Sequence, residues 1–326
     1  SGEQKQVTAK DVIETIEYYL KSFKNDNEYI EVAFFGGSFT AIERTKQEEL
    51  LKAVQPYIKS KKVNSIRLST RPDAIDKGIL KMLKKYHVKT IELGVQSTNN
   101  YILARCKRGH SFEDVKKASK LIKWYGFNLG HQMMVGLPDS NSKDDIQTAK
   151  DIIKLKPKMV RIYPVLVIKG TELELEYNKK EYTPLTVTQA VERCKEIVKL
   201  FNKKKIKVIR VGLQNTDTIS EISSKESEVV AGPFHPAFGQ LVEDAIWYDR
   251  IVEEIKKINN TKNGIMICEN LIATKGFNKC VIFVNGESVS AIIGTQELKQ
   301  EEISQIQNIL SRELNAKIEN IHISLK

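Results

Sequence analysis

EVAFFGGSFT, residues 31–40, carries an apolar run straight into two adjacent glycines and then two hydroxyls. A short apolar run bounded by glycine reads as a buried strand. Its end is the informative part, because Gly36 and Gly37 present bare main chain where side chains would otherwise stand. An isolated glycine pair is a simple turn, with Ser38 and Thr40 capping the next helix. The residues at the ends of the other strands decide between a turn and a ligand site.

The same rhythm repeats along the chain. Thr8 is placed to cap a first helix whose apolar positions Val12, Ile13, Ile16, Tyr19, Leu20 and Phe23 recur at helical spacing. Beyond the glycines, helices near 45–59, 73–86, 111–126, 142–155 and 186–204 alternate with the strands SIRLST, TIELGV, NLGHQMMV, MVRIYPVLV and KVIRVGL. Such alternation predicts crossover units, hence parallel strands buried on both faces. Five strands end in unusual clusters: GGSFT, STRPD, VQS, HQMMVGLP and YPVLVIKGT. Ligands gather at the carboxyl ends of parallel strands, so five clusters at one edge point to one shared site. The chain opens on a helix, so either the sheet begins irregularly or a first strand is missing.

Composition bounds the rest. The 326 residues, 41% hydrophobic and 29% charged, suit an ordinary soluble globular protein, long enough for one large barrel or sandwich or for a domain plus an appendage. No stretch approaches the roughly 20 apolar residues of a membrane span and SGEQKQVTAK is no signal peptide, so the expected setting is cytoplasmic, without a membrane partner. The net charge of +11 favours polyanions, RNA among them, but the lysines and arginines spread over helix faces such as KMLKKYHVK and FNKKKIK, which reads as a solvated surface. Cys106, Cys194, Cys268 and Cys280 form no CxxC or CxxxCxxC set and read as thiols of a reducing compartment. From about 220 the pattern changes. SEISSKESE is loop-like, GPFHPAFGQLVEDAIWYDRIVEEI is a tight turn feeding an amphipathic helix, and 264–326 is a small mixed module with strands GIMIC, KCVIFV, SVSAIIG and IENIHIS and a helix near 300–314. The expected division is an α/β barrel over 1–219 and a C-terminal extension with an α+β module over 220–326.

Several residues admit two readings each. Arg71, extended before Pro72, either grips a carboxylate or phosphate or pairs with Asp73, itself an expected N-cap of the next helix. Glu92 in an otherwise apolar strand should face a ligand or a cation. Gln96 ends that strand with a neutral hydrogen-bonding group. The loop ARCKRGH, with Arg105, Lys107, Arg108 and His110, is either solvated or closes over an anionic substrate. His131 reads as a satisfied core group, with Met133 and Met134 as packing. No Ser, His and acid trio and no metal-ligand spacing stands out.

Taken in order, GGSFT, STRPD, ELGVQS, RGH, HQMMVGLP and YPVLVIKGTELE resemble the radical S-adenosylmethionine family over about residues 8–215. Within it the likeness is to the branch of the Elongator catalytic subunit and of bacterial relatives without its acetyltransferase domain. The resemblance implies a partial (β/α)6 barrel. There a 4Fe-4S cluster on a CxxxCxxC loop, fed by a reductant such as flavodoxin or ferredoxin, cleaves S-adenosylmethionine to a 5′-deoxyadenosyl radical. It implies that Gly36 and Gly37 receive the methionine amino group, with Ser38 and Glu92 in the same cofactor site. Ser69 and Arg71 would take the ribose or carboxylate side, Gln96 and Gln132 the ribose or substrate, and Val135 the adenine edge. Arg108, His110, Tyr163 and Lys169 would face the substrate. The cluster cysteines and the strand that carries them are absent from the sequence. The resemblance therefore implies a chain that lacks an N-terminal segment, offers no metal ligands and is inactive as it stands, with codons upstream of Ser1 expected to encode a strand and CxxxCxxC. Its implied function is radical modification of an unidentified substrate, RNA by analogy with tRNA modification. Two alternatives are a non-catalytic RNA-binding barrel and a parallel-barrel lyase or hydrolase using Arg71, Glu92 and His131 on a small anion.

Overall fold

The alternation along the chain folds into one parallel sheet in the computed structural model, which describes residues 7–23, 28–214, 219 and 227–326. In order come α1 (Ala9–Leu20), β1 (Glu31–Phe34), α2 (Arg44–Lys59), β2 (Ser65–Thr70), α3 (Lys77–Lys85), β3 (Val88–Gln96), α4 (Asn100–Arg105), α5 (Phe112–Trp124) and β4 (Asn128–Val135). Next are α6 (Ser142–Leu155), β5 (Met159–Pro164), β6 (Val167–Ile168), α7 (Glu172–Asn178), α8 (Val187–Lys203), β7 (Lys207–Val211) and β8 (Val229–Ala231). The strand order β1-β2-β3-β4-β5-β7, with every neighbouring pair parallel, is the partial (β/α)6 barrel expected. The sheet curls enough for Phe35, just past β1, to lay its ring 4.9 Å from the Arg161 guanidinium of β5.

The two faces of the sheet are both covered, by different materials. The helix-facing side carries Ile66, Leu68, Ile91, Leu93, Val160 and Ile162, all essentially inaccessible to water. Each such side chain contributes about 1.5–3 kcal/mol by leaving water. The concave side carries the alternate positions, Arg67 and Ser69 on β2, Thr90 and Glu92 on β3, Gln132 on β4 and Arg161 on β5.

Helix starts are set by side chains. Thr8 with Asp11, Ser111 with Asp114, Asn141 with Asp144 and Thr186 with Gln189 each close a capping box. The expected Asp73 cap is corrected. Pro72 holds a single tight turn over Pro72–Ala74, Asp73 turns back onto Arg71, and Asp76 caps α3 by accepting the Ile79 N–H at 2.7 Å. In α1 only Val12 and Ile16 are buried, while Ile13 and Tyr19 are exposed, because a helix packed on α2 covers one stripe; Phe23, also exposed, lies beyond the end of the helix. α4 and α7 fall outside the expected pattern; helices of 6 and 7 residues are too short to show a period.

The chain divides into two compact units, Ser1–Ile246 and Trp247–Lys326, within the helix α9 (Phe238–Thr274). The second unit adds β9 (Cys280–Asn285), β10 (Ser288–Ile293), α10 (Gln300–Leu314) and β11 (Ile321–Leu325), in the sheet order β11-β10-β9. The strand expected at GIMIC is instead part of α9. Cys268 and Ile272, four residues apart, are both fully buried on one helix face. A Cβ at Gly264 would stand 2.8 Å from Leu314 Cδ2, so the backbone there lies close against the neighbouring chain. A short apolar run does not distinguish strand from buried helix. Residues 220–226 of the loop SEISSKESE lie outside the described residues. Among the described residues no helix is long and apolar enough to cross a membrane.

Candidate functional site

A cavity of about 830 Å³ opens at the carboxyl ends of the parallel strands, within the range of roughly 300–1,000 Å³ typical of small-molecule sites. Gly36, Gly37 and Ser38 line it after β1, Ser69 and Arg71 after β2, and Gln96 at the end of β3. Gln132 and Tyr163 line it from β4 and β5, and Arg108 and His110 from the loop before α5. At Gly36 φ is 99°, a conformation that disfavours any side chain, and Cβ atoms built on either glycine would meet nothing within 4 Å. The rim there is an open main-chain cradle. Ser69 Oγ donates to the Gly37 carbonyl at 3.4 Å and so helps shape it. Gln96 holds φ at 64°, rare for a residue with a side chain, where the β3–β4 register slips between Gly94 and Gln96. Such an irregularity re-aims a side chain at a sheet rim.

Below the cavity lies a network of charges. Glu92 is wholly inaccessible to water and accepts from Arg67 Nη1 at 3.0 Å, Arg161 Nε at 2.6 Å, Arg161 Nη2 at 3.2 Å and Gln132 Nε2 at 3.0 Å. Arg67 Nε donates in turn to Glu31 at 2.6 Å. The carboxylate thus faces cations, as a buried charge must. The Glu92 side chain lies over Gly130 of β4: a Cβ there would stand 2.7 Å from Glu92 Cγ. Burial works against the Arg161 charge, but the hydrogen bonds to Glu92, the charge of that carboxylate and the neighbouring Tyr163 together outweigh it, so its pKa rises.

The basic loop separates into braced and open groups. Arg105 is clamped by Glu176 at 2.9 and 2.8 Å and by Asp139 at 3.2 Å, and Lys107 pairs with Glu172. Arg71 is held by both oxygens of Asp73 at 2.7 Å, the structural one of its two readings, while still lining the cavity. Arg108 carries no ion pair among the described residues. His110 Nε2 lies 3.2 Å from the Val95 carbonyl. A carbonyl only accepts, so Nε2 bears the proton and Nδ1 is an acceptor, buried and without a partner.

Three of the expected site residues do not line the cavity. Glu92 lies beneath it, Val135 is buried in the apolar layer under the helices, and Lys169 is exposed on the loop after β6. His131 is on the helix-facing side, 2.9 Å from Ser119 Oγ of α5. Burial pushes its pKa down to about 3. Arg71, Glu92 and His131 therefore share no cleft. Arg161 and Arg210 line the cavity in addition to the residues expected there. A signal for both exists in the sequence, since each interrupts an apolar strand as Glu92 does.

The open main-chain cradle and the cavity of about 830 Å³ leave room for a molecule of the size of S-adenosylmethionine. The residues described do not fit a 4Fe-4S cluster. No three His, Cys, Asp or Glu side chains converge among them, Cys194 and Cys268 are buried in apolar cores, and Cys106 and Cys280 lie in different units.

Comparison with known proteins places this geometry. Residues 4–152 match the Radical SAM superfamily and 157–248 the Radical_SAM C-terminal domain, while 249–323 match the SpoIIIAH-like protein family. The tRNA uridine(34) acetyltransferase of Methanocaldococcus infernus is 32% identical over 193 residues, 53% of this chain and 36% of that protein. Human Elongator complex protein 3 is 25% identical over 202 residues, 55% of this chain and 37% of that one. The chain thus spans little more than a third of the length of these relatives. The structure of archaeal Methanocaldococcus infernus Elp3 with an N-terminal deletion superposes with a TM-score of 0.62 at 21% identity, over 95% of this chain and 88% of that one, a likeness of fold. Over residues 4–248 the chain belongs to the radical S-adenosylmethionine superfamily, in its Elongator-like branch, whose members work with S-adenosylmethionine and a 4Fe-4S cluster.

Proposed function

We propose that this chain is the S-adenosylmethionine-binding barrel of an enzyme that modifies RNA. The observation that carries the reading is the open main chain at Gly36 and Gly37, set in a cavity to which six successive motifs each contribute a lining residue. Free carbonyl groups at such a rim accept hydrogen bonds from an ammonium, which suits the methionine end of the cofactor. Gln132 donates its N–H to Glu92, which leaves its carbonyl oxygen as an acceptor for a ribose hydroxyl. Bound S-adenosylmethionine supplies a 5′-deoxyadenosyl radical in this superfamily. Because the described residues hold no cluster donors, the role assigned to this chain is binding and orientation, and electron delivery by a flavodoxin or ferredoxin lies outside it. RNA as substrate is supported by the net charge of +11 and by the tRNA named in the relatives.

Isothermal titration tests the reading without any cluster. S-adenosylmethionine should bind the wild-type chain, and Gly37→Val, which fills the cradle, should weaken it by about tenfold or more, some 1.4 kcal/mol. An RNA substrate should bind with an affinity that falls steeply with salt. A wild-type chain with no measurable affinity for S-adenosylmethionine would sink the proposal.

A further inference from the structure

At the sheet edge opposite the glycines, β5 and β7 bring Arg161 and Arg210 into direct register. Both line the cavity, together with Tyr163, two residues further along β5. Arg161 has a partner in Glu92, but that carboxylate also serves Arg67. Arg210 has neither ion pair nor side-chain hydrogen bond among the described residues. Two guanidinium groups on neighbouring strands repel one another unless an anion lies between them.

Tyr163 adds a hydroxyl to this wall. It stands beside Arg161 and Arg210, and burial raises its pKa. A guanidinium offers a phenol no acceptor, so the Tyr163 O–H can donate into the cavity. This side of the cavity therefore brings two guanidinium groups and a phenol hydroxyl together, with no carboxylate among the described residues that line it. S-adenosylmethionine does not answer it, because a sulfonium and an ammonium against one carboxylate make that molecule a net cation.

We propose that Arg210 and Tyr163, backed by Arg161, form an oxyanion subsite for the second molecule that enters the cavity, and that this molecule presents a phosphate ester there. The inference deepens the proposed function, since it assigns the chemistry of the co-substrate to one wall of the same cavity. The Arg210 fork binds two phosphate oxygens and the Tyr163 hydroxyl a third, while Glu92 keeps Arg161 fixed behind them.

The test is equilibrium binding at fixed ionic strength. Inorganic phosphate, adenosine 5′-monophosphate and a short single-stranded oligoribonucleotide are titrated into wild type, Arg210→Gln, Arg210→Lys and Tyr163→Phe, with S-adenosylmethionine titrated in parallel. Arg210→Gln should weaken both phosphate probes about tenfold, and Arg210→Lys less, since it keeps the charge without the fork. The isosteric Tyr163→Phe should weaken them by about three- to fivefold for one lost hydrogen bond. S-adenosylmethionine affinity should stay within about twofold in all. Loss of oligoribonucleotide affinity alongside assigns the phosphate to RNA; its retention assigns a small phosphorylated molecule. Unchanged phosphate binding in both Arg210→Gln and Tyr163→Phe overturns the subsite. So does a matching loss of S-adenosylmethionine affinity, which would give Arg210 to the cofactor carboxylate. Phosphate binding without S-adenosylmethionine binding in wild type would leave the subsite standing and remove the proposed function.

Discussion

Glu92 on β3 and His131 on β4 are near neighbours across one strand pair, equally hidden from water, and opposite in character. Glu92 points to the concave side, where two arginines and a glutamine satisfy it. His131 points toward the helices, where one nitrogen meets Ser119 and the other meets nothing. Burial keeps the histidine neutral, while partners keep the carboxylate company on the other side of the same sheet. The difference shows how one parallel sheet supports both a hydrocarbon core and a charged cavity floor, one residue apart along each strand.

The comparison breaks most severely at Glu92. Glu92→Gln should leave two half-buried guanidinium groups short of charge and cost about 3–5 kcal/mol, read by urea denaturation at neutral pH. A loss below about 1 kcal/mol would mean that water, and not Glu92, satisfies the arginines.

His131 sharpens the other side through pH. Its folded pKa, pushed down to about 3 from an ordinary 6.5, means that the unfolded chain binds the proton first as pH falls. The stability it contributes is complete above about pH 6.5 and drains away toward pH 3, about 2 kcal/mol of it by pH 5. Asp145 runs the opposite way between about pH 4 and 6, because burial raises its pKa to about 6. The effect is therefore read as the difference between wild type and His131→Asn, which share Asp145. A gap that does not change between pH 7 and 5 would contradict the neutral buried imidazole.

Gly130 tests the space on β4 that the Glu92 side chain occupies. Gly130→Ala places a methyl 2.7 Å from Glu92 Cγ, and displacing the carboxylate should cost about 1–2 kcal/mol. The smallest effect belongs to Lys107, whose pairing with Glu172 is largely exposed; Lys107→Ala should change stability by about 0.5 kcal/mol or less. Thermal melts of the two variants would rank them.

Much of the barrel is legible along the chain because a parallel sheet imposes local signatures. Apolar strands recur between amphipathic helices, and motif after motif stands at a strand end. Glu92 was legible for the same reason: a carboxylate in ELGV has to meet a cation. Arg161 in MVRIYP and Arg210 in KVIRVGL carry that signal too, yet a cation in a strand is ambiguous, since long basic side chains often reach solvent. The short helices α4 and α7 left no period to read, and GIMIC, five residues with apolar character, served a helix where a strand was expected.

By itself the sequence determined the parallel architecture, the Thr8 cap and the bare rim at Gly36 and Gly37, since each depends on residues near one another in the chain. Tertiary structure alone decided which charges meet, because Glu31, Arg67, Glu92 and Arg161 are far apart in sequence and find one another only when the sheet curls. It also decided that the Glu92 side chain packs over Gly130, and that Arg210 faces the cavity without an anion among the described residues. Long-range electrostatics depends on distance in space, and that distance is set by the closure of the sheet.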